Sequence, residues 1–481
     1  MKPPKSLLLG AAVLTASSVF AAAPQKPTFY KDVLPILQEN CQTCHRPNGA
    51  NLGGMVAPMA FGEFQETRPW AKAMAKAVDT GAMPPWHAAP EQDGIFKNER
   101  NITQDEIDTI VNWAQTGASR GNPSEAPEAR VWDAQSGWTI GKPDLVIKTD
   151  EAYFVEDDVK DIYVNLTTKI GLDQVGEDKF IKAVEFRPGS SVVHHIIAMP
   201  LGGIAPGNEA TVYGDGIAGV LKKDTTVNWQ MHYHKEPGEG TGVWDQSMAA
   251  IKFYDNPDEV KYRLQGNHLG RFDFNIPAGE SDYTLQQSYT FKNDSRIVSF
   301  LPHFHLRGKS AKYEATYPDG STEILLDVPQ YDFNWQTTYK YSDFKDVPKG
   351  TKITFTSVWD NSTGNQYNPD PTKTVRFGQP TTDEMSFGYM SFINDSGEYE
   401  AMFGRGRGEG RGGRRDLTKL IGQFDANKDG LLQKDEAPEQ LSRFFDRLDT
   451  NSDGAISKEE AAAASKRFGQ GRRGQNGPSD D

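Results

Sequence analysis

Six of the nine histidines fall in three short clusters: His194-His195 in SSVVHHIIAMP, His232 and His234 in NWQMHYHKEPG, and His303 and His305 in SFLPHFHLRGK. Side chains at i and i+2 of a β-strand share a face, so Pro302-His303-Phe304-His305 aims two imidazoles at one spot. Adjacent His194 and His195 would leave a regular strand on opposite faces. Both can reach one ion only at a strand end or a bulge, which makes this pair the more demanding signal. A lone histidine is ordinarily a hydrogen-bonded surface or core group. Only His45, His87 and His268 stand outside the clusters, so the grouping is that of metal ligands.

A second chemical motif lies near the N-terminus. Cys41-Gln42-Thr43-Cys44-His45 has the spacing by which two thiols bond the vinyl groups of a c-type haem, with His45 on the iron. A redox dithiol or half a zinc site would not call for the following histidine, and no other cysteine exists to complete one. The sixth iron ligand should be a thioether or a second imidazole, and Gly81-Ala82-Met83-Pro84-Pro85-Trp86-His87 offers both. Met83, in a proline-containing loop like that of small cytochromes c, is the expected ligand and His87 the alternative. Met55, Met59 and Met74 are expected to pack.

The third motif is a pair of twelve-residue loops near the C-terminus. One presents Asp425, Asn427, Asp429, Leu431 and Glu436, the other Asp449, Asn451, Asp453, Ala455 and Glu460. Side-chain oxygens at positions 1, 3, 5 and 12, a backbone carbonyl at 7 and glycine at 6 make an EF-hand loop for calcium. Apolar residues at helical spacing enter each loop: Leu417, Leu420, Ile421 and Phe424, then Leu441, Phe444, Phe445 and Leu448. A disordered acidic tail would have no use for such stripes.

With these residues in view, the middle of the chain resembles the copper type II, ascorbate-dependent monooxygenases, the family of the peptidylglycine α-hydroxylating enzyme and dopamine β-hydroxylase. The resemblance covers roughly residues 137–395, with the motifs in order, and is supported by His305-Leu306-Arg307-Gly308-Lys309 and Asp332-Phe333-Asn334-Trp335-Gln336. It implies two coppers on two β-sandwich domains. The first would be held by His194, His195 and His232, with His232 taken over His234 because the family uses the first histidine of that segment. The second, catalytic copper would be held by His303, His305 and Met385 of TTDEMSFGY, and would meet O₂. The ligand chemistry agrees. Three imidazoles suit a copper that only changes oxidation state, and a thioether in place of one favours Cu(I), whereas zinc has no use for methionine. Two departures stand out. No cysteine remains to brace these domains, and Leu301 occupies the position of the arginine that holds a peptide substrate's carboxylate, which argues against glycine-extended peptides.

The elements that must position these groups are legible in part. Composition is that of a chain with sizeable cores: 481 residues, 37% hydrophobic, net charge −14. A uniform acidic excess argues against nucleic-acid partners. Residues 1–23 read as an export signal: Lys2 and Lys5, an apolar run from Leu7 to Phe20, then Ala21-Ala22-Ala23. No other stretch approaches a membrane span, so a periplasmic or secreted protein is expected. Thr103 and Glu106 form a capping box ahead of Ile107, Ile110, Val111 and Ala114, Gly117 stops that helix, and Val33, Ile36 and Leu37 suggest an earlier one. From residue 131 the pattern turns to β. GTKITFTSVWD alternates as a strand, and Tyr317-Pro318-Asp319-Gly320 is a hairpin turn. The expected organisation is multidomain: a small all-α cytochrome c domain over 24–130, all-β, jelly-roll-like sandwiches over 131–275 and 276–400, a Gly/Arg linker over 401–415, an α-helical EF-hand pair over 416–470 and a disordered tail over 471–481. The expected activity is hydroxylation of a C–H bond in a small-molecule or peptide-like organic substrate. It would use O₂ and electrons delivered through the haem from a periplasmic donor. A non-catalytic haem and copper carrier is the alternative.

Overall fold

The computed structural model describes residues 24–47, 49, 55, 57–131, 137–214, 216–396 and, toward the C-terminus, 424, 427, 429–434, 436–437, 445–451 and 453–463. The expected export signal, the Gly/Arg linker, Asp425, Leu417, Leu420, Ile421, Leu441, Phe444 and the final tail lie outside the described residues. The chain is a multidomain, β-rich protein with few helices, and it divides into a unit ending at Phe403 and a unit from Gly404 onward. No helix among the described residues is long and apolar enough to cross a membrane.

The first unit begins with short helices, Leu34–Asn40, Phe64–Thr67, Ala71–Asp79 and Gln104–Gln115. The last starts where the sequence marks it. Thr103 accepts from the Glu106 backbone while the Glu106 carboxylate accepts from Thr103, and Gly117 follows the helix at φ +99. Phe29, Val33, Leu37, Ile110 and Trp113 close a small core between the first and last helices.

Two β bodies follow, each a pair of facing sheets. In the first, a six-stranded sheet and a four-stranded sheet enclose Ile181, Val184, Ile196, Val227, Trp229, Met231 and Ile251. In the second, two four-stranded sheets enclose Ile297, Phe300, Tyr313, Ile353, Phe355, Trp359 and Phe392. The strand Lys352–Trp359 alternates buried and half-exposed as its sequence requires, and the 317–320 turn closes the hairpin of Gly308–Thr316 with Thr322–Val328. The chain passes between bodies at Leu264, ahead of the boundary expected near 275. The strand Gln265–Gly270 already pairs with Phe387–Asn394, but its polar and glycine-containing sequence hides that role.

Candidate metal centre

The strand Val193–Met199 pairs with Thr226–His234 and sets His195 opposite His232, but its register breaks between Val193 and His195. That irregularity is what a vicinal pair needs in order to turn both rings to one side. The ligand atoms of His194, His195 and His232 lie within 4.8 Å of one another. His195 Nδ1 and His232 Nδ1 are 3.2 Å apart, and His194 Nδ1 is buried without a hydrogen-bond partner. His234 shares the strand face, with its ring 6.3 Å from that of His194, yet falls outside this trio.

The protonation states suit a cation. Burial, reinforced by neighbouring imidazoles, pushes His194 down to about 3 and His195 well below the usual histidine range, so both present neutral rings at neutral pH. His232 Nε2 donates to the Asp161 carboxylate, which leaves the Nδ1 lone pair facing the other two rings. Burial raises the Asp161 carboxyl, but hydrogen bonds from His232 and Thr381 outweigh it and hold the group below the usual carboxylate range. Tyr163 stacks on His232 at 4.2 Å between centroids. Three converging imidazole nitrogens, one orphaned, another on a ring held by a carboxylate behind it, fit a copper or zinc ion by donor type.

A second histidine pair leaves the end of the strand Ser295–His303. His303 Nδ1 donates to Gln336 Oε1 at 2.6 Å and His305 Nδ1 to the Asp383 carbonyl at 3.1 Å, so both Nε2 lone pairs are left for a ligand. Burial pushes His305 down to about 3 and lowers His303 as well. Phe387 pairs with His303, which brings the segment carrying Met385 to the same sheet end. Glu384 ties that segment down. Its buried carboxylate accepts from His305 N at 2.9 Å, Arg307 N at 2.7 Å, Trp359 Nε1 at 3.1 Å and Met385 N at 3.3 Å. Burial pushes the Glu384 carboxyl up to about 7. Two imidazoles with a methionine on the adjoining segment fit a soft, redox-active ion better than zinc.

The two clusters face each other across the junction of the β bodies. Phe333 stacks on His194 at 4.8 Å and stands edge-on to His305 at 6.0 Å. Asp161 accepts from Thr381 N and Oγ1, Tyr163 donates to the Gln379 carbonyl, and Gln336 N donates to the Pro206 carbonyl. The groups that orient the ligands therefore also join the bodies. Asp161 and Tyr163 escaped the sequence analysis because they lie in an ordinary strand, and their partners are about 220 residues away.

The Cys41–His45 run forms a turn, with Cys44 N and His45 N both donating to the Cys41 carbonyl. His45 Nδ1 donates to the Met59 carbonyl at 3.3 Å and its ring stacks on Phe61 at 4.4 Å, which leaves Nε2 as the open ligand atom. Both thiols are free, and burial pushes Cys41 up to about 12, the state of a protonated thiol rather than a redox thiolate. Free thiols and an oriented imidazole are what covalent haem attachment requires. Met83 N donates to the Ala77 carbonyl just past the helix Ala71–Asp79. His87 lies on the stretch that packs against the second β body, where its buried Nε2 has no hydrogen-bond partner.

In the C-terminal unit the described loop residues take a metal-loop geometry. Gly430 and Gly454 have φ of +86 and +85, and Leu432 and Gln433 pair with Ile456 and Ala455. Glu436 reaches back to Asn427 N at 3.1 Å, and Glu460 to Thr450 N at 2.8 Å. Leu432, Phe445, Leu448, Ile456 and Ala461 form the small core beneath.

Comparison with known proteins agrees with this last part. The EF-hand family model matches residues 441–460, so the C-terminal segment carries an EF hand, a calcium-binding motif. The comparison with curated proteins finds no match. Among solved structures the chain is similar to the STIV MCP (TM-score 0.24, 6% identity, 52% of this chain and 95% of that one). It is also similar to the major capsid protein P2 of bacteriophage PM2 (TM-score 0.21, 8% identity, 51% and 97%). Scores of this size carry no argument about the site.

Proposed function

We propose that this chain is an exported copper monooxygenase that hydroxylates a C–H bond of an organic substrate, with a covalently attached c-type haem as its electron inlet. The observation that carries the proposal is the pair of neighbouring clusters. His194, His195 and His232 converge with Phe333 stacked on His194, and the same Phe333 stands edge-on to His305, which with His303 has its Nε2 atom left open. The family resemblance assigns the same residues to two coppers on two sandwiches. Copper there supplies the one-electron changes that hydroxylation needs, in which C–H, O₂, two electrons and two protons give C–OH and water.

The chain's own residues divide the remaining work. Asp161 fixes the His232 ring, while Gln336 and the Asp383 carbonyl fix His303 and His305. Glu384 holds the Met385 segment against the His305–Arg307 turn. His45 would hold iron through Nε2, and Met83 would be the second protein ligand to it. The N-terminal motif and the β bodies share one unit, which supports a periplasmic donor passing electrons through the haem to copper.

The test is a copper and oxygen measurement on the full chain. Reduced chain should hold two coppers and consume O₂ in proportion to a hydroxylated product when offered extracts of small organic molecules. His303→Ala should leave one copper and no O₂ consumption. Two bound coppers with no substrate-dependent O₂ uptake would instead favour a haem and copper carrier.

A further inference from the structure

The segment that orients His303 has no ladder of its own. Residues 329–338 run between the strands Thr322–Val328 and Tyr339–Val347, and Gln336, whose Oε1 takes His303 Nδ1, lies inside this irregular stretch. Its amide is turned locally, since Nε2 donates to the Phe333 carbonyl at 3.1 Å. Its main chain is held from elsewhere. Gln336 N donates to the Pro206 carbonyl at 2.8 Å, and the Gln336 carbonyl accepts from Asn208 Nδ2 at 2.8 Å. Both polar backbone groups of this buried residue in the second β body are thus met by the first.

The loop that meets them is shaped for the contact. It follows the strand Gly202–Ile204, which pairs with Val193–Met199, the strand of His194 and His195. Asn208 is buried, and its amide donates to the Ala205 carbonyl at 3.2 Å within its own turn, which steadies the side chain before it crosses. Its Oδ1 accepts from Thr338 Oγ1 at 2.7 Å, so one side chain grips the segment on both sides of Thr337. Gly207 has φ +89, and a Cβ there would stand 3.1 Å and 3.2 Å from atoms of Trp335. Glycine meets both demands, the backbone conformation and the close approach.

We propose that Asn208 is a positioning residue for the second histidine pair: the first β body aims His303 through Gln336, so that pair is set for a metal only where the two bodies dock. The inference rests on the reading of His303 as a ligand and deepens it by naming what orients the ring. A displaced Gln336 leaves His303 Nδ1 without its acceptor, and Nε2 then loses its fixed direction. The trio of His194, His195 and His232 does not depend on this loop contact, because Asp161 and the register break between Val193 and His195 both lie in the first body. A lesion at Asn208 therefore acts on the site of the other body and spares the one in its own.

The test compares histidines in the full-length chain. With histidine labelled in heavy nitrogen and no metal added, magnetic resonance should show the hydrogen-bonded His303 Nδ1–H, identified by its loss in His303→Ala, and the His232 Nε2–H on Asp161. Asn208→Asp keeps the acceptor for Thr338 but sets an oxygen against the Gln336 carbonyl. It should shift or broaden the His303 signal and leave that of His232 in place. Copper(I) competition with a chromogenic chelator should then show the copper that His303→Ala abolishes bound about 10-fold more weakly, the other unchanged. Gly207→Ala, which presses the loop off Trp335 and leaves Asn208 itself intact, should act in the same direction and decides the matter if Asn208→Asp does not fold. An unmoved His303 signal with unchanged copper affinity overturns the inference alone, and so does an equal loss at both sites. A wild-type chain from which His303→Ala removes no copper overturns the inference together with the reading of that site.

Discussion

Replacing Glu384 by glutamine tests whether one buried carboxylate organises the second histidine pair. In the wild-type chain one oxygen takes Arg307 N at 2.7 Å, while the other takes His305 N at 2.9 Å, Trp359 Nε1 at 3.1 Å and Met385 N at 3.3 Å. An amide can keep its oxygen on the three-donor side only by turning its NH₂ toward Arg307 N, donor against donor. One buried N–H is then unmet, which costs about 1–3 kcal/mol. The buried Arg307 guanidinium also loses the carboxylate that does most to favour its charged form. Burial already pushes the Glu384 carboxyl up to about 7, so removing the charge returns part of this. The net expectation is a destabilisation of about 1 kcal/mol, seen as a fall of about 0.5 M in the urea midpoint of the metal-free chain. Far-UV circular dichroism is the measurement, since the β bodies dominate it. A midpoint within about 0.2 M of wild type would refute the reasoning, and Met385 would then owe its position to something other than this carboxylate.

Three further outcomes follow from the same contacts. Met385→Ile should abolish substrate-dependent O₂ uptake while copper analysis still finds the ion on His194, His195 and His232; undiminished uptake would remove Met385 from the site. Asp161→Asn exchanges an acceptor of the His232 proton for an amide that can oppose it, and should weaken copper at that trio by about 10–100-fold in a chelator competition, with His303 and His305 unaffected. Calcium should protect residues 424–463 from limited proteolysis in the full chain, and Glu460→Gln should remove that protection at the second loop. Equal digestion in calcium and in chelator would mean that the loops no longer bind the ion.

What could be read from the sequence was whatever is local. The capping box at Thr103 and Glu106 needs only four consecutive residues, and the strand Lys352–Trp359 shows its period within itself. The adjacent histidines stated their own geometric demand, and the register break between Val193 and His195 is the irregularity they asked for. The acidic residue before Met385 was visible too, but not its work, because its donors come from the turn at Arg307 and from Trp359, distant in sequence. The segment after Met83 hid more. Its aromatic residues Trp86 and Phe96 look like parts of the helical domain beside them in sequence, yet they pack with Tyr339 and Tyr341 in the second β body. No periodicity could have said so, since a short irregular segment carries no record of which distant surface receives it. The same holds for Asp161 and Thr381, about 220 residues apart, which meet only where the two β bodies touch. Residue types thus announce the histidine clusters in this chain, while groups that aim them, Asp161 and Gln336 among them, also hydrogen-bond across to the other body. A variant that leaves every histidine in place can therefore still disable the site by altering Asp161, Gln336 or Glu384.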